Sequence, residues 1–130
     1  MQTSNRDSPA SVRDTYASHR SPMDRSRLAA ALEIISSVCD SGIPLHQVAL
    51  LLFVGNHGRG GCTYAAIETG LGISNAAASR SVNSLSTSAR HRKTEPMGLV
   101  EKFIDPEEGR RYRVRLTKKG QSLMRALDQL

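Results

Sequence analysis

The stretch from Thr63 to Leu85, TYAAIETGLGISNAAASRSVNSL, constrains the fold more than any other part of the chain. It predicts two helices joined by a tight turn. Ile67 faces inward from the first helix, and Leu71-Gly72-Ile73 forms the turn, with glycine where the backbone needs a positive φ. Ser74 is placed to cap the second helix, its hydroxyl accepting a hydrogen bond from an orphan N–H of the first turn. Beyond it Ala78, Val82 and Leu85 recur at i, i+4 and i+7 and make one apolar face. The opposite face carries Ser74, Asn75, Ala76, Ser79, Arg80 and Asn83, short side chains with one long cation among them. Two uses fit such a face. Its amide and guanidinium groups can make paired hydrogen bonds to base edges in a DNA major groove, or it is the water-facing side of a helical hairpin.

Charge distribution bears on that choice. The net charge is +6, but from Met1 to Ile73 six basic residues are matched by six acidic ones. After Lys119, Arg125 and Asp128 also cancel. The surplus therefore lies between Ser74 and Lys119, where eleven basic residues face five acidic ones. A cationic surface confined to one contiguous segment is the electrostatic footprint of nucleic-acid binding, because each neutralised phosphate releases counterions. An anionic membrane would attract the same charge, yet the segment has no continuous basic amphipathic helix with aromatic anchors.

At 130 residues the chain is expected to form one domain with a modest core, residues 23–130, preceded by a polar arm, residues 1–22. The arm is rich in Ser, Thr, Asp and Arg. Its Arg6, Arg13 and Arg20 can touch phosphate or a minor groove, and a plain disordered tail fits as well. No apolar run approaches the roughly 18 residues of a membrane span, and the N-terminus lacks a signal-peptide core, so a cytoplasmic location is expected. Cys39 and Cys62 are too few for a disulfide framework. No Cys/His spacing suggests a metal site, and no cofactor is expected.

Asp24 can cap a first helix running to about Cys39, with Leu28, Leu32, Ile35 and Cys39 on one face. Ala29, Ala30, Ala31 and Ile34 widen that face enough for two contacts, one with its own core and one with a partner subunit. Ser41-Gly42 ends this helix, and Pro44 stands in the first turn of the next. Leu45 to Val54 is apolar almost all round and predicts a central buried helix, flanked by His46 and His57 as surface or cap residues. The glycine-rich run Gly55 to Gly61 fails the phosphate-loop pattern, since no Gly-Lys-Ser/Thr opens a helix after a strand. It is read as a connector, with a very short strand at Cys62.

After Leu85 comes the polar stretch Ser86 to Pro96, into which the second helix is expected to continue before turning at Pro96. Arg90, Arg92 and Lys93 cluster there, either to bind backbone phosphate or as a solvated basic loop. Two strand-like runs follow, Leu99 to Ile104 and Arg111 to Leu116, joined by Asp105-Pro106-Glu107-Glu108-Gly109-Arg110. Asp-Pro initiates a turn and Gly closes it. In the second run Tyr112, Val114 and Leu116 alternate with Arg111, Arg113 and Arg115, which predicts an apolar face and an arginine face. An arginine-bearing hairpin directly after two such helices is a wing, able to lie on the sugar-phosphate backbone with Arg110 at its tip. Thr117 can cap a last helix with Leu123, Leu127 and Leu130 on one side. The fold class expected is mainly α with a small antiparallel β wing.

The ordered string Thr63, Ile67, Leu71-Gly72-Ile73-Ser74, Ser79-Arg80, Leu85, Gly98-Leu99-Val100, Asp105-Pro106, Gly109-Arg110-Arg111, Leu116-Thr117 and Gly120 resembles the MarR family of winged helix-turn-helix transcriptional regulators. The resemblance covers roughly half of the chain. It implies a homodimer built from helices at both ends of each chain, with two winged helices reading a palindromic operator on double-stranded DNA, most often as a repressor. It places Ser79 and Arg80 at the major groove and Arg110 at the wing tip. Glu68 stands where such motifs usually carry a small alanine, so either the hairpin is splayed or the carboxylate turns outward. Ser81 replaces a residue that is commonly apolar, and the insertion between Leu85 and Gly98 is longer than usual. The chain has little sequence after Gly120 for the family's long dimerisation helices. An effector pocket is therefore not expected, nor any obligatory small-molecule ligand.

Some members of that family sense oxidants through a cysteine. Cys39 reads as a small core residue, and Cys62, beside a helix start, as the better candidate for a lowered pKa. No nucleophile-base pair or metal set suggests an enzyme; Glu107 and Glu108 are merely adjacent in a turn. The alternative from another class is a winged-helix protein-interaction or nucleoprotein-assembly module in replication or polymerase control.

Overall fold

The computed structural model describes residues 24–39, 42–86, 97–107 and 109–130. In chain order these form α1 (Arg25–Val38), α2 (Leu45–Asn56), β1 (Cys62–Thr63), α3 (Tyr64–Leu71), α4 (Asn75–Leu85), β2 (Val100–Ile104), β3 (Tyr112–Leu116) and α5 (Lys118–Asp128). Residues 1–23, including the polar arm, and residues 87–96, with Arg90, Arg92 and Lys93, lie outside the described residues.

Side-chain caps start four of the five helices. Asp24 accepts from the Arg27 N–H, Thr63 from Ala66, Ser74 from Ala77 and Thr117 from Gly120, each at 3.1 Å. Each satisfies a backbone donor that a helix start otherwise leaves open, an effect of about 1 kcal/mol apiece. α2 differs. Pro44 stands at its N-cap, one position before the first turn in which the sequence placed it. At the other end His57 caps α2 and donates its Nδ1–H to the Phe53 carbonyl at 2.9 Å.

α2, α3, α4 and the sheet enclose one core. Leu50, Leu51, Ile67, Leu85, Leu99 and Val114 are fully buried, each stabilising the fold by about 1.5–3 kcal/mol through loss of apolar surface. The buried-helix reading of α2 holds for only part of its circumference. Val48, Leu50, Leu51 and Val54 are buried, whereas Leu45 is 76% exposed and Ala49 is also exposed. α1 contributes Ile35 to the core, leaves Leu28 and Leu32 open, and packs on α5.

The sheet is antiparallel, in the order β1-β3-β2. Cys62 pairs with Val114, and β2 and β3 form the hairpin, with Glu101 opposite Arg115, Lys102 opposite Val114 and Phe103 opposite Arg113. At its base Gly120 lies so near the Leu99 carbonyl that any Cβ there would collide with it. α4 does not continue into the polar stretch. It ends at Leu85, where Ser86 turns extended and bridges in parallel to Val100.

Candidate nucleic-acid interface

The two helices predicted from Thr63 to Leu85 are α3 and α4. Gly72 caps α3 in the left-handed conformation at φ 66°, and its N–H and that of Ile73 both donate to the Glu68 carbonyl, at 2.8 and 3.2 Å. These two hydrogen bonds to one carbonyl close the C-terminus of α3 just before α4 begins. Ala78, Val82 and Leu85 are fully buried and Ser81 nearly so, which turns Ser74, Asn75, Ala76, Arg80 and Asn83 to solvent and leaves Ser79 half-buried. Glu68 does not splay the hairpin. Its carboxylate turns outward, and Oε2 accepts from Asn75 Nδ2 at 2.9 Å.

Opposite the start of α4 stands the inner face of the hairpin. Between them is a cleft of about 450 Å³ lined by Glu68, Asn75 and Ser79 on one side and Lys102, Arg110 and Arg111 on the other. Tyr64 and Tyr112 complete it. Burial pushes the Tyr64 phenol above its ordinary pKa, and Tyr112 adds to the rise, so Tyr64 keeps its hydroxyl proton as a donor. Lys102 and Tyr64 carry no sequence signal for this cleft, and Tyr112, read as part of the apolar face of its strand, lines it instead. Lys102 shares a face with Val114 only through cross-strand register, which the turn length settles. The distal hairpin rises beyond the core, leaving Tyr112 and Ile104 about half exposed, with the Lys102 ammonium 5.6 Å from the Tyr112 ring centroid.

The predicted alternation holds, with Arg113 and Arg115 on the face opposite the buried Val114 and Leu116, but both guanidinium groups are engaged within the protein. Arg113 is drawn inward. Its Nε donates to the Gly60 carbonyl at 3.1 Å, Nη2 to the Gly61 carbonyl at 3.3 Å, and Nη1 pairs with Asp105 Oδ2 at 3.3 Å. Asp105 is 7% exposed, and a carboxylate so enclosed needs a cation; its other oxygen accepts from the Glu107 N–H. Arg115 pairs with Glu101 at 2.8 Å and lies 4.2 Å from the Phe103 ring centroid, a cation–π contact. The structure thus brings Asn75, Ser79, Arg110 and Arg111 together, leaves Ser74, Ala76, Arg80 and Asn83 on the exposed flank of α4, and takes Arg113 away from the cleft.

Cys62, the better candidate of the two cysteines for a lowered pKa, has a raised one. Cys62 is buried in β1, paired with Val114 of β3, and burial raises its thiol to about 11 against a smaller opposing pull from Arg113. Cys39 is raised by burial as well. Among the described residues, no group of three or more His, Cys, Asp or Glu side chains is placed to hold a metal ion, and no helix is long and apolar enough to cross a membrane. A second cleft, about 740 Å³ and mainly apolar, lies between α1, α2 and α5, lined by Leu28, Leu32, Leu45, Leu52, Phe53 and Leu127.

No protein family and no curated protein matches the sequence. Solved structures do. RV1404 from Mycobacterium tuberculosis superposes with a TM-score of 0.59 at 27% identity, over 81% of this chain and 63% of that one. A variant of S. aureus MepR bound to an oligodeoxyribonucleotide gives 0.58 at 20% identity, over 81% and 67%. The PcaV transcriptional regulator from Streptomyces coelicolor, in complex with its natural ligand, gives 0.52 at 24% identity, over 80% and 65%. The chain thus spans less than two thirds of the length of the mycobacterial protein.

Proposed function

We propose that this chain, which has the MarR-type winged helix-turn-helix fold of its structural neighbours, is a DNA-binding transcriptional regulator. One observation carries the reading. The exposed polar start of α4 and the cationic inner face of the hairpin border a single cleft, so a base-reading element and a phosphate-binding element face the same ligand. In this reading α4 enters the major groove, where Ser74, Asn75, Ala76, Ser79, Arg80 and Asn83 meet base edges and flanking phosphates. Arg110 and Arg111, joined by Lys102, meet the backbone and the minor groove beside it. Arg90, Arg92 and Lys93 are proposed to add phosphate contacts, and Arg113 serves the wing from within.

The finer parts of the proposal are a homodimer, a palindromic operator and repression. The open apolar surface of α1 and α2 supports the dimer: Leu28 and Leu32 are 46% and 42% exposed and border the apolar cleft. A contiguous apolar patch of this kind is better covered than hydrated. A second copy related by a two-fold axis covers it with the same patch and sets two copies of α4 side by side. We assign this surface to the second copy rather than to a small-molecule effector. Repression follows from the resemblance, through an occupied operator that excludes polymerase.

Enrichment of bound duplexes from random DNA tests the proposal. The expected product is a palindrome whose half-sites lie about 10 base pairs, one helical turn, apart. Recovery of unenriched sequence, together with a monomer in solution, would refute it.

A further inference from the structure

The turn between α3 and α4 holds a contact that the general docking scheme does not use. Glu68 is in α3 and Asn75 is the first residue of α4, yet their side chains meet at 2.9 Å across the turn, on the wall of the cleft assigned to DNA. The backbone of Glu68 is itself fixed, because its carbonyl receives the N–H groups of both Gly72 and Ile73. No lysine or arginine among the described residues forms an ion pair with this carboxylate. Its partner is an amide on the element placed to read bases.

A carboxylate only accepts hydrogen bonds, whereas the two ends of an asparagine amide are opposite in kind, one accepting and one donating. The bond to Glu68 therefore decides which end of Asn75 faces inward. Nitrogen must face the carboxylate, which directs Oδ1, an acceptor, away from it. In the major groove the bases that offer a donor are adenine, through N6, and cytosine, through N4, while guanine and thymine offer oxygen acceptors there. An acceptor held against another acceptor is repelled, and the nearby negative charge of Glu68 deepens the penalty.

Resting on the DNA-binding reading, we infer that Glu68 is a specificity-determining positioning residue, which locks the Asn75 amide so that the protein selects adenine or cytosine over guanine or thymine at the base Asn75 meets. The carboxylate also repels phosphate. It lowers affinity for every sequence while raising the contrast between them, a repulsive element in the service of selection.

Glu68→Gln is the informative substitution, since glutamine keeps the shape of the side chain but can donate as well as accept and so no longer dictates the amide's orientation. Duplexes bound by the full chain are enriched from random DNA for the parent, for Glu68→Gln, for Asn75→Ala and for the double variant, with a melting curve for each. The parent is expected to show adenine or cytosine at one pair per half-site. Glu68→Gln relaxes that preference by about tenfold at that pair alone, leaves melting unchanged and binds random DNA more tightly. Asn75→Ala abolishes preference at the same pair, and adding Glu68→Gln to it changes nothing further there. A Glu68→Gln profile identical to the parent's, or one flattened at every position, overturns the inference and leaves the DNA-binding reading intact. A parent that enriches no sequence overturns both.

Discussion

Arg80 on α4 and Arg113 on β3 are equal as formal charges, and the structure uses them differently. Arg80 is exposed and meets no carboxylate among the described residues. Arg113 spends its guanidinium on Asp105 and on two carbonyls of the loop before β1. One cation is available to a ligand; the other straps the wing to the body of the protein. Arg115 is likewise occupied, by Glu101 and Phe103. Net charge thus overstates the cationic surface that a polyanion meets, and the wing's contribution shifts toward its tip, to Arg110 and Lys102.

The largest test of this contrast is the salt dependence of binding. With about six phosphates neutralised, affinity falls roughly a thousandfold between about 50 and about 200 mM salt. Arg113→Ala leaves the slope of that dependence unchanged if Arg113 is a strap and reduces it by about one if it is a phosphate contact. Titrations of both proteins across salt decide between them. Next is Cys62, which directly follows the strapped Gly60-Gly61: with its thiol raised to about 11, its thiolate population at neutral pH is roughly a hundredfold below that of a free thiol. Alkylation should slow accordingly and accelerate as pH rises toward that value; a rate like that of free cysteine would mean that the loop is not held down.

Arg80→Ala is expected to lower discrimination between operator and random DNA by about tenfold to a hundredfold, read from paired affinity measurements, with little change in melting. Arg113→Ala reverses this profile. It removes the Arg113 guanidinium from the enclosed Asp105 and from the Gly60 and Gly61 carbonyls and should cost about 1–3 kcal/mol of stability in denaturant titrations, with discrimination largely retained. The smallest effect belongs to Glu101→Ala. The pair Arg115–Glu101 is about two-fifths exposed on both sides, so its loss should cost less than about 1 kcal/mol. If Glu101→Ala destabilises as much as Arg113→Ala, the two wing arginines do the same job.

What the sequence revealed was whatever is settled within a few residues. Asp24, Ser74 and Thr117 cap where they were expected to because a cap answers to donors three residues ahead. Gly72 adopts the positive φ that its turn requires. The wing was legible through alternation, and Val114 and Leu116 do face the core. The missed features depend on distance along the chain. Gly60 and Gly61 are more than fifty residues from Arg113, and nothing in the pattern around either indicates that they meet. The burial of Cys62 likewise follows from its pairing with Val114. The Glu68–Asn75 bond spans only seven residues, yet it depends on the angle between two helices, and a residue pattern carries no angle.

Where α4 ends and the wing begins, the residues that flank 87–96 lie beside one another. The Leu99 N–H donates to the Leu85 carbonyl at 2.8 Å, and Ser86 bridges to Val100. Exit and re-entry are thereby clamped independently of whatever runs between residues 87 and 96. Lengthening a chain between clamped ends costs only about 0.6 kcal/mol per doubling. Evolution can therefore lengthen, shorten or recharge this segment without renegotiating the helix before it or the strand after it. Relatives that share this clamp are free to diverge in reach and in polyanion affinity while keeping the same reading head.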